Sequence, residues 1–341
     1  MKYDVTIGIP IYNSVGCIRT SLMSALSQSY PSIEFILVND CCTDGTFDVV
    51  GYVLSSHVRC KDVRILTHCL KQGVSASRNQ IIDEAKGEFL YFMDSDDTIA
   101  KNTIELLMQN ARKYNAEIVF GSYKKIETSG KKTIYQYPSK QLLGKDELAS
   151  FAYRKYAGIQ ASACNYIVKT DILRVNNHRF IDVNYWEDLV FTFDLVTLVS
   201  RAVLLSDITY IYICRDNSLS HYQERINISK AEVMRNVEAI EHLKTTSALL
   251  SDKLYFPNRC YNIVMTDFYI ACAILKRRKS IIPYITNREI KAIMRHPASW
   301  QQIWSFSQSL SKNLLLYILG KMPSSMCIFI IKCLGKMKKV I

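Results

Sequence analysis

Three carboxylates stand within four positions at the end of an apolar run. The stretch FLYFMDSDD, residues 89–97, carries Asp94, Asp96 and Asp97 directly after aromatic and aliphatic side chains. At about 5–6 Å and an effective dielectric of about 20, a pair of like charges costs about 3 kcal/mol, so a cation is expected among them. Mg²⁺ and Mn²⁺ take such oxygen ligands and complete their shell with substrate phosphates. The cluster therefore predicts a divalent metal site, with capping of the next helix by Asp96, Asp97 or Thr98 as the open alternative.

An arginine near the start of a predicted helix is the second candidate for ligand chemistry. In GVSASRNQIIDEAKGEF, residues 73–89, Arg78 and Asn79 stand early in the helix and close in sequence to the acidic strand. Arginine at a helix N-terminus is a favourable anion site, and the open alternative is a solvated side chain on the helix face. Neither GxxxxGK[ST] nor GxGxxG occurs in the chain, so P-loop and dinucleotide-fold phosphate sites are not supported.

The elements that must position these residues alternate regularly over the first 120 residues. Strands alternating with helices of about 10–15 residues predict a mainly parallel sheet with helices on both faces. Ligands bind beyond the carboxyl ends of such strands, and the polar stretches PIYN, NDCCTDGT and DSDD each follow a strand. The predicted strands cover 4–10, 34–40, 63–68, 88–93 and 117–121, and the predicted helices cover 15–29, 45–55, 74–86 and 101–114.

Beyond this region the chain changes character. Residues 122–145 are polar and lysine-rich and predict a hairpin or an insertion, and a folded pattern resumes over 146–220. A helical region with mixed charge covers about 229–295. Eight basic residues and no acidic residue follow Glu289, so most of the net charge of +12 lies in the final segment. Mixed with runs such as LLLYIL and MCIFII, these residues suit an anionic membrane surface, and the open alternative is a pair of closing helices packed on the protein.

The composition bounds the class of protein. Apolar residues make up 49% and charged residues 22%, as in ordinary folded proteins. The eleven cysteines form no C-x-x-C pair, and MKYDVTIGIP reads as a strand rather than a secretory leader, which favours a reducing, cytoplasmic setting. Nucleic-acid binding is not favoured, because the basic residues are concentrated away from the alternating core. The apolar runs of the final segment are too short for a spanning helix.

The order and spacing of these motifs resemble the amino-terminal domain of inverting family 2 glycosyltransferases, whose nucleotide-binding fold is called GT-A. The match is dense over residues 4–120, from VTIGIPIYN to FLYFMDSDD, and continues more loosely through YWEDLVFTF and ICRDNSLSH to about 221. The resemblance implies an α/β GT-A fold with a mainly parallel sheet and a helical C-terminal region.

The resemblance also implies roles in binding the nucleotide of the donor. Pro10, Tyr12 and Asn13 match the first loop of the family, which cradles the base and the ribose. Asp40 matches the acidic residue that hydrogen-bonds the base, and Arg78 matches the arginine near the base or the diphosphate.

Further matches concern the metal and the diphosphate. Asp94 and Asp96 match the D-x-D pair, which implies Asp94 near the ribose and Asp96 on the metal, with Asp97 as a candidate second ligand. In ICRDNSLSH the resemblance implies that Arg215 contacts the diphosphate and that His221 flanks the acceptor. For His221 a partly buried structural role is the open alternative.

The acidic motif WED, residues 186–188, matches the family's general base. Inverting transfer is a direct displacement, and the attacking hydroxyl needs a carboxylate that accepts its proton. Asp188 is the first candidate for this base and Glu187 the second. The open alternative is an ordinary acidic helix N-terminus.

One motif departs from the family. Where members often read DDGSTDGT this chain has NDCCTDGT, so that Asn39, Cys41 and Cys42 replace the usual Asp, Gly and Ser. Glycine would allow a positive φ that cysteine tolerates poorly, so the turn geometry or the base preference is expected to differ. Asp40 itself is kept.

The resemblance thus implies a metal-dependent enzyme, using Mn²⁺ or Mg²⁺, that moves a sugar from a nucleotide-sugar, with UDP favoured, to a hydroxyl of a glycan. We expect a lipid-linked glycan acceptor at the inner face of a bacterial membrane, in the assembly of capsule or another surface polysaccharide. The expected organisation is a GT-A catalytic domain over 1–225, with halves 1–120 for the nucleotide and 121–225 for the acceptor, a helical region over 226–295 and a membrane-associating tail over 296–341. The alternative is a non-catalytic scaffold that binds a nucleotide-sugar.

Overall fold

The predicted alternation of strands and helices over the first 120 residues is confirmed. In this computed structural model the described residues are 3–155, 159–183, 186–215, 227–305 and 309–341. The strands are β1 (Tyr3–Ile11), β2 (Ile33–Asn39), β3 (Val63–Thr67), β4 (Gly87–Phe92), β5 (Thr98–Ile99), β6 (Ile118–Ile126), β7 (Lys132–Tyr135), β8 (Lys140–Leu142), β9 (Tyr166–Lys169), β10 (Ala202–Ile213), β11 (Ile228–Ser229) and β12 (Ile281–Ile282). The helices are α1 (Ile18–Leu26), α2 (Thr46–Ser56), α3 (Val74–Glu84), α4 (Thr103–Tyr114), α5 (Glu147–Ser150), α6 (Thr170–Val175), α7 (Glu187–Leu198), α8 (Lys230–Ser247), α9 (Phe256–Lys276), α10 (Asn287–Ile293), α11 (Trp300–Trp304), α12 (Leu310–Lys321) and α13 (Ser324–Met337).

The chain divides into two compact units. The first comprises Met1–Leu148, Gln160–Asp182 and Glu187–His221, and the second comprises Ala149–Ile159, Val183–Trp186 and Tyr222–Ile341. The helical region and the tail that the sequence predicts as separate parts both fall within the second unit. Their separation at residue 296 stays a prediction.

The first unit is built on one mixed sheet with the strand order β3-β2-β1-β4-β9-β6-β10-β5. Strands β1 to β4 pair in parallel, as the sequence predicts. Strand β9 lies antiparallel between β4 and β6, which the sequence does not predict. Strands β6 and β7 pair as an antiparallel hairpin, so the hairpin interpretation of residues 122–145 is confirmed.

Close packing of α3 on the parallel strands fixes the position of the arginine that the sequence singles out. Strand β2 is buried continuously from Ile33 to Val38, as expected for a parallel strand covered on both faces. In β1, a Cβ added at Gly8 would lie 2.4 Å from Cγ2 of Ile81 in α3. Glycine thus lets α3 approach the sheet, and Arg78 in this helix is held beneath the carboxyl edge.

The second unit is helical and includes the predicted tail as packed structure. Ala298 and Ile303 pack with Phe256 and Cys260 of α9 in one buried cluster. Deeper in the unit, Nζ of Lys244 lies 2.8 Å from a carboxylate oxygen of Asp267, and both side chains are at most 1% exposed. Among the described residues, no helix combines the length and apolarity needed to cross a membrane.

Candidate active site

Polar loops meet at the carboxyl edge of β1, β2 and β4. The backbone N–H of Asp40, just after β2, donates to the carbonyl of Ile11 at the end of β1, at 3.0 Å. The hydroxyls of Ser14 and Ser95 share a hydrogen bond of 2.8 Å between the loops that follow β1 and β4. The predicted gathering of PIYN, NDCCTDGT and DSDD at one edge is confirmed by these contacts.

Asp40 ties the end of β2 to the start of α3. Its carboxylate accepts hydrogen bonds from the backbone N–H groups of Gln72 and Gly73, at 2.7 and 2.9 Å, and from Nδ1 of His68 at 2.8 Å. Burial opposes ionisation, but these hydrogen bonds outweigh it and hold the pKa of Asp40 below its usual value. Asp40 is therefore a buried anion that shapes the loop before α3. Its predicted contact with a base stays a prediction.

The first loop combines a fixed turn with an exposed ring. Asn13 adopts a positive φ of 44°, and its side-chain oxygen accepts a hydrogen bond from the backbone N–H of Thr43 at 2.9 Å. The ring of Tyr12 is 42% exposed, and Nζ of Lys71 lies 3.6 Å from its centroid. Pro10 is buried in β1, opposite Val38 of β2. Of the three predicted loop residues, Tyr12 and Asn13 are thus exposed after the end of β1, and Pro10 is buried within that strand.

The cysteine that replaces the family's usual glycine adopts the conformation that glycine favours. Cys41 has a φ of 64°, so the turn after β2 keeps a left-handed residue despite the substitution. The positive φ that glycine would allow is therefore kept, and the expected difference in base preference stays a prediction. Cysteine stores strain there, since the left-handed conformation costs an L-residue about 1–2 kcal/mol.

We therefore expect Cys41→Gly to stabilise the protein by up to about 1 kcal/mol, because the relieved strain exceeds the added chain entropy of glycine. Urea unfolding of the full chain measures this change. The matched control is Cys60→Gly at an exposed cysteine whose φ is not positive, where a loss of about 0.5–1 kcal/mol is expected. Equal losses in the two variants would contradict the strain at Cys41.

Arg78 is a buried cation that pairs with three carboxylates, of which only Asp94 belongs to the acidic cluster. Its guanidinium is 3% exposed and donates to the carboxylates of Asp94 at 2.9 Å, Glu187 at 3.2 Å and Asp188 at 2.5 Å. The plane of the guanidinium also lies near the ring of Phe180, with 5.2 Å from Cζ to the ring centroid. Arg78 thus joins the acidic strand end to the first turn of α7, across more than a hundred residues of sequence. Its predicted contact with the base or the diphosphate stays a prediction.

The first turn of α7 holds two carboxylates that resist ionisation. Burial, followed by the charge of Asp188, raises the pKa of Glu187 to about 7. Burial also raises the pKa of Asp188, and the proximity of Asp94 adds to this while Arg78 opposes it. Carboxyl groups with a raised pKa beside a fixed cation suit proton transfer near neutral pH.

Asp96, the predicted metal ligand, has the most exposed carboxylate of the three in DSDD, and its role on a metal stays a prediction. Its side chain is 40% exposed and lies 3.6 Å from the guanidinium of Arg215, which also donates to the carbonyl of Asp96. Burial and the charge of Asp94 raise the pKa of Asp96, so a bound cation would favour its ionised form. Within the described ranges, no set of three or more His, Cys, Asp or Glu side chains is arranged to enclose a metal. One or two carboxylates completed by substrate phosphates are the arrangement typical of Mg²⁺.

Asp97 points into the protein and connects the acidic motif to β10. Its two carboxylate oxygens accept hydrogen bonds from the hydroxyl of Tyr210 at 2.7 Å and the backbone N–H of Ile213 at 2.8 Å. Burial, followed by the charges of Asp94 and Asp96, raises the pKa of Asp97 to about 8. These contacts fix the strand that leads to Arg215. Its role as a second metal ligand stays a prediction.

The alternative interpretation of the acidic cluster as a helix cap is wrong. Thr98 lies in the short strand β5, and α4 begins only at Thr103, with Asn102 at its N-cap. The carboxylates therefore precede a strand, and capping does not account for them.

Two residues of the site are missed by sequence reasoning. His68 bonds both Asp40 and, through Nε2 at 3.0 Å, the side chain of Gln80. Tyr210 donates to Asp97 from a strand more than a hundred residues away, and no local pattern marks it. His68 is the last residue of the predicted strand 63–68, and this position at a strand end is the one signal that the sequence offers. His221, proposed from sequence as an acceptor contact, lies outside the described residues.

The known proteins that resemble this chain are glycosyltransferases. The sequence profile described as Glycosyl transferase family 2 matches residues 6–170. A cholesterol galactosyltransferase of Borreliella burgdorferi is 22% identical, and the alignment covers 93% of this chain and 96% of that protein. The Escherichia coli protein named UDP-Glc:alpha-D-GlcNAc-diphosphoundecaprenol beta-1,3-glucosyltransferase WfgD is 30% identical over 37% of this chain and 48% of its own length. The crystal structure of S. aureus TarS residues 1–349 in complex with UDP-GlcNAc has the same fold, with a TM-score of 0.57, 17% identity and coverage of 93% and 90%.

Proposed function

Because the chain belongs to glycosyl transferase family 2 and is a glycosyltransferase, we propose that it is a metal-dependent, inverting enzyme with a UDP-sugar donor. The observation that carries the proposal is the convergence of Asp94, Glu187 and Asp188 on Arg78, beside Asp96. The proposed metal ligand and two candidate bases thus stand at one edge of the sheet.

The donor nucleotide would occupy the edge formed by the loops after β1 and β2. Tyr12 offers an exposed ring for stacking on a base, and Asn13 holds the two loops together. Asp40 orders the backbone that leads into α3. The complex of TarS with UDP-GlcNAc supports a UDP-sugar as the donor class.

Asp96 would hold a divalent cation, Mn²⁺ or Mg²⁺, and Arg215 would stand beside the diphosphate. Such a cation stabilises negative charge on the leaving diphosphate when it is bound. The Arg215 guanidinium, 34% exposed and 3.6 Å from Asp96, adds positive charge on the same side. Asp97 positions this arginine by fixing the end of β10.

Asp188 would accept the proton of the attacking hydroxyl. Its carboxylate is held by Arg78 and remains 25% exposed, so an acceptor hydroxyl has access to it. Glu187, only 14% exposed and bonded to the same arginine, is the second candidate. Once Asp188 has taken the proton, the new glycosidic bond forms opposite the departing nucleotide, which inverts the anomeric carbon.

The acceptor would be a lipid-linked glycan in the assembly of a bacterial capsule or another surface polysaccharide. The name of the Escherichia coli relative specifies a diphosphoundecaprenol-linked sugar, which supports this class of acceptor. We place the enzyme at the inner face of the cell membrane, where its basic residues 296–341 would meet anionic lipid.

Calorimetric titration of UDP, GDP, dTDP and CMP into the full chain, with Mn²⁺ and with EDTA, tests the proposed donor. We expect tight binding of UDP that requires Mn²⁺. Tight binding of another nucleotide instead would replace UDP as the proposed donor nucleotide. Equal binding of UDP with Mn²⁺ and with EDTA would contradict the proposed metal dependence. Binding without any transfer to glycan acceptors would favour the non-catalytic scaffold.

Asp96→Ala is expected to weaken Mn²⁺-dependent UDP binding by at least about tenfold and to lower transfer with it, because the cation loses a carboxylate. Titration of UDP with and without Mn²⁺ measures the change. The control is Asp207→Ala, an exposed carboxylate in β10, which should leave binding unchanged. Unaltered Mn²⁺ dependence in Asp96→Ala would contradict the metal role.

A further inference from the structure

Helix α13 carries an apolar stripe on each of two sides. On one side Cys327, Ile328 and Ile331 are at most 5% exposed, so this side packs within the second unit. On another side Phe329 is 67% exposed and Met337 is 79% exposed. The buried side accounts for the folding of α13, and the exposed stripe needs a different explanation.

The exposed stripe has helical spacing. Met326, Phe329, Cys333 and Met337 are separated by three, four and four residues, which aligns them along one side of the helix. All four are exposed. Since the solvent face of a helix is ordinarily polar, a continuous exposed apolar stripe marks a surface for interaction.

The two preceding helices also expose large apolar side chains. In α12, Leu315 and Ile318 are 37% and 39% exposed, while Leu316 on another side is buried. In α11, Trp300 and Trp304 are 42% and 57% exposed, with their rings 5.8 Å apart. Tryptophan is enriched where one end of the ring meets lipid and the other meets water.

The charged residues of the final segment have one sign. No acidic residue follows Glu289 in the sequence, and each lysine of α12, α13 and the turn that follows is exposed. These lysines are Lys312, Lys321, Lys332, Lys336, Lys338 and Lys339. Lys332 and Lys336 flank the exposed stripe of α13 at one-turn spacing.

We infer that the exposed stripe of α13, supported by α12 and α11, is a docking surface for an anionic lipid bilayer. Apolar side chains of such a helix enter the boundary between headgroups and acyl chains, and lysines beside them meet anionic headgroups. The inference deepens the proposed function, on which it rests for the membrane concerned, and it names the residues that would touch lipid.

The charges favour lipid over other occupants. A second copy of the chain seated on this stripe about a two-fold axis would bring Lys332 and Lys336 towards their own equivalents, which like-charge repulsion opposes. A nucleic acid would use the lysines but would leave Phe329 and Met337 without apolar partners. An anionic bilayer satisfies both the apolar and the basic residues.

Flotation of the full chain with vesicles tests the inference without any substrate. We expect binding to vesicles of phosphatidylcholine with phosphatidylglycerol, and at least tenfold weaker binding to phosphatidylcholine alone. The double variants Phe329→Ser/Met337→Ser and Lys332→Glu/Lys336→Glu should each lower binding by about tenfold or more, and added salt should weaken the binding of the unaltered chain.

The matched controls change equally exposed residues elsewhere. Leu249→Ser removes a side chain that is 85% exposed, and Lys131→Glu/Lys132→Glu reverses the charge of two exposed lysines of the first unit. Both variants should bind vesicles as the unaltered chain does.

Two outcomes would overturn the inference: vesicle binding by the stripe variants equal to that of the unaltered chain, or no flotation of the unaltered chain. A dimer in light scattering that Phe329→Ser/Met337→Ser dissociates would overturn it in favour of a second copy. UDP titration of every variant separates failure of docking from failure of the proposed donor site.

Discussion

Asp188→Asn is expected to lower the rate of sugar transfer by about 10²–10⁴ while UDP binding stays near normal. The carboxylate is the proposed acceptor of the hydroxyl proton, and a lost general base costs a rate factor in this range. Asparagine keeps the size of the side chain and its acceptor oxygen, so the hydrogen bond from Arg78 can persist. Initial rates with a glycan acceptor, together with UDP titration, measure the two quantities separately.

The pH dependence of transfer adds a second test of the same base. Asp188 must be ionised to accept a proton, and burial and Asp94 raise its pKa, so kcat/KM should fall as pH decreases through this raised value. Glu187, with a pKa of about 7, titrates beside it, so the acidic limb reports the two carboxyl groups as a coupled pair. In Asp188→Asn the acidic limb should flatten.

The neighbouring variant Glu187→Gln is the control, because it alters a carboxylate bonded to the same arginine. It should lower kcat/KM less than Asp188→Asn does. The reverse order, with Asp188→Asn near the activity of the unaltered chain, would assign the base to Glu187.

The parts of the fold that depend on local pattern are predictable from sequence. Strands β1, β2 and β4 are apolar runs bounded by polar loops, and parallel pairing brings their carboxyl ends to one edge. The position of DSDD beside PIYN follows from that pairing. Strand β9 has only four residues, and its place between β4 and β6 depends on pairing partners distant in sequence.

The side-chain contacts inside the site are not predictable from the sequence either, because most of them also join distant residues. The sequence predicts a metal among the carboxylates of DSDD, but it does not predict that Asp94 shares a buried arginine with Asp188. Likewise the three acidic residues of DSDD look equivalent, but the hydroxyl of Tyr210 and the backbone of Ile213 engage Asp97. Apart from the pair of Arg78 and Asp94, these contacts join residues more than a hundred positions apart, and no periodicity reports them.

The C-terminal segment shows a different limit. Its sequence left two alternatives, a membrane surface and a packed helix pair. In α13 the side chains of Ile328 and Ile331 are buried, which agrees with the packed alternative, whereas Phe329 and Met337 are exposed and the membrane surface stays a prediction. An all-round apolar helix cannot be divided into its buried and exposed sides until its neighbours are known.

Arg78→Gln is expected to destabilise the protein by about 3–5 kcal/mol at pH 8, because it leaves carboxylates buried without their cation. Asp94, Glu187 and Asp188 all bond this guanidinium, and Glu187 is only 14% exposed. Urea unfolding of the full chain measures the loss. Arg112→Gln, which breaks an exposed ion pair with Glu88, is the control and should cost about 1 kcal/mol or less.

The loss in Arg78→Gln should shrink as pH falls. Without the arginine, the pKa values of Glu187 and Asp188 in the folded protein rise further above their unfolded values, so the folded state binds more protons than the unfolded state between these values. Lowering the pH from 8 to 5 therefore stabilises the folded variant relative to the unaltered chain. The stability of Arg78→Lys should lie between that of Arg78→Gln and that of the unaltered chain. A lysine ammonium keeps the positive charge but cannot reach Asp94 and Asp188 together, as the forked guanidinium does. A loss below about 1 kcal/mol at pH 8, or one that grows towards pH 5, would mean that the carboxylates do not depend on Arg78 for their charge.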